Sequence, residues 1–178
     1  MNRAIKKDYY VDRLITNLPK ALELGRLVRG AFIEDMAMID YQVNSIIRDH
    51  CFNTKQYQDM NRLVEFSELF LNEKMMLAKK IDIMESILKN NYSHMLKQYP
   101  ELVGKLRNLN TFRTYLAHGM TVAGNSFLDV NPESFTLVKY TKGKIEQKKF
   151  RLGYIAKMAR DAEDVRMTLN DINVKIYS

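Results

Sequence analysis

The stretch RTYLAHG, residues 113–119, sets a permanent cation, Arg113, and a titratable imidazole, His118, five positions apart. Both stand in a segment otherwise patterned like the end of a buried helix. At about 100° per residue, Leu106, Leu109, Arg113 and Leu116 fall within roughly 40° of Leu102 on a helical wheel. The spacing therefore predicts that Arg113 occupies the apolar stripe itself, where an unpaired charge costs several kcal/mol. It must pair with a carboxylate inside a bundle, or the stripe must open there into a groove or a subunit interface. His118 lies about 140° further round, in a last turn before Gly119. An imidazolium is favoured there by the helix dipole, and glycine tolerates the left-handed stop. Two readings are open at this point: a helix stop beside a buried ion, or a pair able to cleave RNA.

A second group of candidates follows. Lys139, Lys142, Lys144, Lys148, Lys149 and Arg151 stand against a single acid, Glu146, with Tyr140 and Phe150 interleaved. Such a segment can grip an RNA backbone through contacts that weaken with salt, or it can guard an exposed strand edge. Lys105 and Arg107, just before Arg113, are expected to add to the same field. Other reactive residues have plainer readings. His50 and Cys51 point about 100° apart on a helix, which suits a helix-end histidine and a buried thiol, and His94 suits the surface or a cap. Glu34, Asp35 and Asp40 lack a histidine at the spacing a di-metal site uses, although one of them could be the buried partner of Arg113. Met75, Met76 and Met84 read as core filling. With no Gly-rich phosphate loop and no metal-ligand spacing, no cofactor or metal is expected.

Several elements must position these residues. The polar, basic first 16 residues read as an arm or a short helix. A long helix is predicted from Pro19 to about Cys51, with Val28, Phe32, Met36, Ile39, Val43 and Ile46 on one face. A short helix follows within 52–72. Leu77, Ile81, Met84 and Leu88 mark another, broken at KNNYS, and the helix carrying Arg113 begins near Pro100. The segments SFTLVKY and KIEQKKF flank TKG, a hairpin pattern. A final helix over about 153–175 carries Ile155, Met158, Ala162, Val165, Leu169, Ile172 and Ile176, a seam that could pack within the chain or against a second copy. The fold class is mainly α: a helical bundle of four to five helices with one small β-hairpin before the last, forming one domain over 1–178.

Bulk properties agree. The chain has 178 residues, 46% of them hydrophobic and 28% charged, enough for a core that buries roughly 70% of the unfolded surface. One cysteine, Cys51, permits no intrachain disulfide. No stretch has the roughly 20 apolar residues of a membrane span or the core of a signal peptide, so a cytoplasmic location without membrane contact is expected. The net charge of +7 suits a polyanionic partner, and also plain solubility.

Preceded by LRNLNTF and followed by a hairpin and a last helix, RTYLAHG resembles the Rx4–6H signature of the HEPN superfamily. The segment LFLNEKMMLAKKIDIMESILKN is similar to the helix before that motif in many bacterial HEPN-like proteins, and the likeness spans about residues 66–172. The resemblance implies a small, commonly dimeric helical protein that binds RNA and cleaves it without metal, in a toxin–antitoxin, phage-defence or RNA-processing setting. Arg113 would then bind and polarise the scissile phosphate through its planar fork of donors. His118 would act as general acid or base at the 2′-hydroxyl, a role suited to a side chain whose free pKa is about 6.5. The product would end in a 2′,3′-cyclic phosphate, and a homodimer would let each histidine work with the arginine across the interface. An antitoxin or other protein partner is also implied. Two positions depart from the pattern. Thr114 stands where active members often have Asn, Asp or His. Met120 stands where some carry a Tyr that is adenylylated. The alternative is a non-catalytic HEPN-like interaction module for a partner protein or nucleotide, with Arg113 as a buried structural ion.

Overall fold

The protein is described by a computed structural model covering residues 28–52, 60–70, 75–118, 120–121, 134–141 and 143–177. In chain order it has helices α1 (28–52), α2 (Met60–Phe70), α3 (Leu77–Asn91), α4 (Ser93–Gln98) and α5 (Leu102–His118). Strands β1 (Met120–Thr121), β2 (Ser134–Thr141) and β3 (Lys144–Arg151) come next, and α6 (Leu152–Tyr177) ends the chain. The architecture is mainly α, with the small hairpin before the last helix that the sequence patterns require. The arm expected over 1–16 and the helix start expected at Pro19 lie outside the described residues. Among the described residues no helix is long and apolar enough to cross a membrane.

The chain forms two compact units. Unit 1 combines Met1–Ile33 with Phe112–Ala159, and unit 2 combines Glu34–Thr111 with Arg160–Ser178. Unit 2 is helical. The periodic residues Ile39, Val43 and Ile46 of α1, Ile81, Met84 and Leu88 of α3, Leu106 and Leu109 of α5, and Leu169 and Ile172 of α6 are all fully buried. Burial of each such side chain contributes about 1.5–3 kcal/mol, so these stripes hold the unit together. The seam of α6, from Met158 to Ile172, is buried within the single chain, and no second copy is needed to cover it.

Ion pairs then set which helix lies beside which. Asp40 of α1 meets Lys80 of α3 at 2.9 Å, Glu85 of α3 meets Arg107 of α5 at 2.6 Å, Lys105 of α5 meets Asp164 of α6 at 3.2 Å, and Arg166 of α6 meets Asp35 of α1 at 3.2 Å. The circuit α1–α3–α5–α6–α1 is closed. Exposed pairs of this kind contribute only about 0–1 kcal/mol each, so their part is mainly in neighbour choice.

Glu85 gives this circuit a pH signature. Its carboxyl is held below the ordinary glutamate value of 4.5, first by the hydrogen bond from Lys89 and further by the charge of Arg107, against the opposing effect of burial. A folded pKa below the unfolded one means that the stabilisation is complete above the ordinary value and is lost as pH falls through the folded value. Glu85→Gln should therefore lower stability at neutral pH by about 0.5 kcal/mol. Urea melts repeated at pH 3 should show the gap closing, and a gap independent of pH would argue against the assignment.

Lys80 differs from the rest. Only 1% exposed, it places Nζ 2.9 and 3.1 Å from the two carboxylate oxygens of Asp40. Among the described residues it is the buried cation of unit 2, and the sequence pattern carries a signal for it: Leu77, Lys80, Met84 and Leu88 recur at three and four.

Unit 1 is organised round aromatic rings. Phe112, 1% exposed, meets Phe32 at 4.8 Å, Phe150 at 5.0 Å and Tyr154 at 5.6 Å, all edge-on, the geometry ring quadrupoles favour. The strands pair antiparallel in the order β1-β2-β3. The expected hairpin thus gains a two-residue third strand, with Met120 opposite Val138. Register in the hairpin places Phe135 opposite Phe150 and Thr141 opposite Lys144. The turn uses Gly143 at φ +76°, a conformation most side chains resist.

Candidate functional site

α5 ends at His118 and the chain passes directly into β1, so the last two turns of α5 are anchored in unit 1 at both ends. Phe112 and Leu116 are buried there, whereas Arg113 is exposed. This corrects the expectation that Arg113 sits in the apolar stripe. After Leu109 the stripe continues three residues on, at Phe112, because the rings of Phe32, Phe150 and Tyr154 wait on that side. Arg113 is therefore not a buried structural ion. Neither can Asp35 or Asp40 serve as its hidden partner, since they pair with Arg166 and Lys80.

Arg113 now falls on a continuous outer face. On the wheel that sets Leu102 at zero, Arg113, Ala117, Thr114 and His118 lie at about 20°, 60°, 120° and 160°. Arg113, Ala117 and His118 are exposed and Thr114 is half-buried. Positions i and i+4 are surface neighbours about 5–6 Å apart, so Arg113 adjoins Ala117 and Thr114 adjoins His118. Ala117 and Thr114 fill the 140° between Arg113 and His118 with a methyl group and a hydroxyl. Among the described residues none forms a salt bridge with Arg113 or His118.

The hairpin cations separate by register. Lys144, Lys148, Lys149 and Arg151 are exposed. Strand alternation puts Lys144 and Lys148 on the face of buried Phe150, and Lys149 and Arg151 on the other. Lys148 Nζ stands 4.6 Å from the ring centre of Tyr115 and 5.7 Å from that of Phe150. Lys139 is opposite Glu146 in register, and Lys142 lies outside the described residues.

Lys105 and Arg107 are paired with acids. Both belong to unit 2, where Lys105 faces Asp164 at 3.2 Å, Glu101 at 3.5 Å and Asp161 at 4.0 Å, and Arg107 holds Glu85 and Asp82. The hydrogen bonds they donate, Lys105 to Asp164 and Arg107 to Asp82, are the first cause raising each pKa. Each charge is thus balanced by acids beside it.

Charge divides the same way. Among the described residues, unit 1 has eight Lys and Arg against one acid, leaving +7, and unit 2 has 11 against 13, leaving −2. Their positive surplus is entirely that of unit 1.

Remaining candidates resolve simply. His50 is half-buried, with Nδ1 3.4 Å from the Tyr92 hydroxyl. Cys51 is exposed, not buried as expected. Partial desolvation nonetheless pushes its thiol above the ordinary range, so thiolate is scarce. His94 is exposed near the start of α4. Of Met75, Met76 and Met84, only Met84 fills the core; Met76 is 77% exposed. Among the described residues no three His, Cys, Asp or Glu side chains are grouped to hold a metal ion. Sequence reasoning missed Lys80 and the Tyr115–Lys148 contact; the latter has no local signal, since its members are 33 positions apart.

No protein-family model, curated protein or solved structure matches the chain.

Proposed function

We propose that this is an RNA-binding protein that cleaves RNA without a metal ion at the end of α5. The observation that carries the reading is the exposure of Arg113 and His118 round Ala117 on one face, in the unit that holds all of the positive surplus. The likeness of RTYLAHG to the HEPN signature adds the chemistry. Arg113 neutralises charge on the phosphate as it becomes five-coordinate, with two parallel donors where a lysine offers a point charge. An imidazole of His118 takes the proton of the 2′-hydroxyl, the O2′–P bond forms, and the P–O5′ bond breaks. The leaving oxygen takes a proton from a second imidazolium, supplied by another copy in a homodimer. Thr114 contributes a hydroxyl for hydrogen bonding beside His118.

The exposure of Arg113 favours this over a non-catalytic module built on a buried arginine. The test is incubation with mixed-sequence RNA in EDTA, followed by end-group analysis. The expected products carry 2′,3′-cyclic phosphate and 5′-hydroxyl ends, and light scattering should give the mass of a dimer. Intact RNA, or cutting that needs a divalent ion, would remove the reading.

A further inference from the structure

A cation paired with a carboxylate has its charge balanced by that partner, whereas one held over a neutral ring does not. The distinction sorts the basic residues of this chain. Lys105 and Arg107 are of the first kind, with 2.6–3.2 Å contacts to acids. Lys148 is of the second, standing over the rings of Tyr115 and Phe150. Such a contact is worth about 0.5–1 kcal/mol at an exposed site, enough to bias the side chain's position while its charge stays open to a further anion.

Its position follows from α5. Tyr115 lies three residues before His118, and side chains at i and i+3 are neighbours on a helix surface. Round the end of α5 the order is Arg113, Ala117, Thr114, His118 and then Tyr115 with Lys148 upon it. Lys149 and Arg151 leave the opposite face of β3 and do not take part.

Building on the proposed function, we propose that Lys148 is a further phosphate-binding cation of the site, beside Arg113. It binds the phosphate next to the one gripped by Arg113 on a single strand of RNA, and Tyr115 is its positioning residue. The ring's part is to hold the ammonium on the His118 side of β3, so that the strand is aligned across the imidazole.

The competing account is edge protection. β3 is the outer strand of the sheet, and lysines on an edge discourage pairing between molecules. Under that account Lys148 and Lys149 are equivalent, and a diffuse basic field would make them equivalent for RNA too.

The experiment measures binding of a short 2′-O-methyl oligoribonucleotide, which attack by a 2′-hydroxyl cannot cut, by fluorescence anisotropy in EDTA over a range of salt. Lys148→Gln should weaken binding several-fold and lower the slope of log K against log salt by about 0.7, the loss of one single-strand phosphate contact. Lys149→Gln, which removes the same formal charge one residue away, should leave the slope unchanged. Tyr115→Leu changes no charge, yet should lower both affinity and slope in part, and Tyr115→Phe should restore them. Should Tyr115→Leu fail to fold by circular dichroism, the two lysine variants decide alone. Equal losses for Lys148→Gln and Lys149→Gln, or binding by the parent that Lys148→Gln leaves intact, would overturn the inference while sparing the proposed function. A parent protein that binds no RNA would remove both.

Discussion

His118→Ala should lose between 10²- and 10⁴-fold in the rate of metal-free RNA cleavage, the usual contribution of a positioned general acid or base. Binding of the uncleavable analogue should change little, because an imidazole that moves a proton adds more to the transition state than to ground-state affinity. Arg113→Ala should lose rate on a similar scale and weaken binding as well, since the proposed role has the guanidinium on phosphate in both states. Arg113→Lys is the more telling variant. It keeps the charge and loses the fork, so binding should largely survive while the rate stays well below the parent's. Both side chains are exposed, so none of these changes should shift the melting temperature appreciably. Single-turnover kinetics beside a thermal melt would check the set. A His118→Ala protein that cuts at the parent rate would strip this residue of its role, whatever the binding result.

The second large effect concerns stability. Asp40→Ala should destabilise the protein by about 3 kcal/mol, because it leaves the Lys80 ammonium buried without a counter-charge. The reverse substitution is far milder. Lys80→Met keeps the buried stem, and the carboxylate it abandons is 36% exposed and can return to water. About 1 kcal/mol is expected for it. The double variant Asp40→Ala, Lys80→Met removes both charges and should recover most of what Asp40→Ala loses. Denaturant melts of the four proteins form the cycle, and equal costs for the two single variants would show that Lys80 finds another partner when Asp40 is gone.

The interior was legible wherever a stripe repeats at three and four. Phe32, Met36, Ile39, Val43 and Ile46 on α1, and Leu77, Ile81, Met84 and Leu88 on α3, are buried as their spacing predicts. The hairpin was legible too, because SFTLVKY and KIEQKKF flank a glycine whose φ of +76° makes the turn. The same method placed Arg113 in the core and overlooked Lys80. Both errors have one cause. A wheel ranks positions by angle about a single axis, but which angle is inward depends on what lies opposite. At the level of Phe112 the neighbours are aromatic rings displaced to one side, so Phe112 turns in and Arg113 turns out. At the level of Lys80, a carboxylate from α1 makes a buried ammonium tolerable.

Charge shows the same division of labour. Composition alone establishes a surplus of seven positive charges, yet it cannot say where they lie. Only the tertiary structure assigns the surplus of the described residues to unit 1, balances Lys105 and Arg107 in acid pairs, and leaves Lys148 on a ring with its charge open. Local periodicity determines the helices, the hairpin and the presence of a cation and an imidazole near one helix end, since these depend on neighbours within a few residues. The partners of each charge are chosen by residues tens of positions away, and those choices decide which cations remain for a ligand.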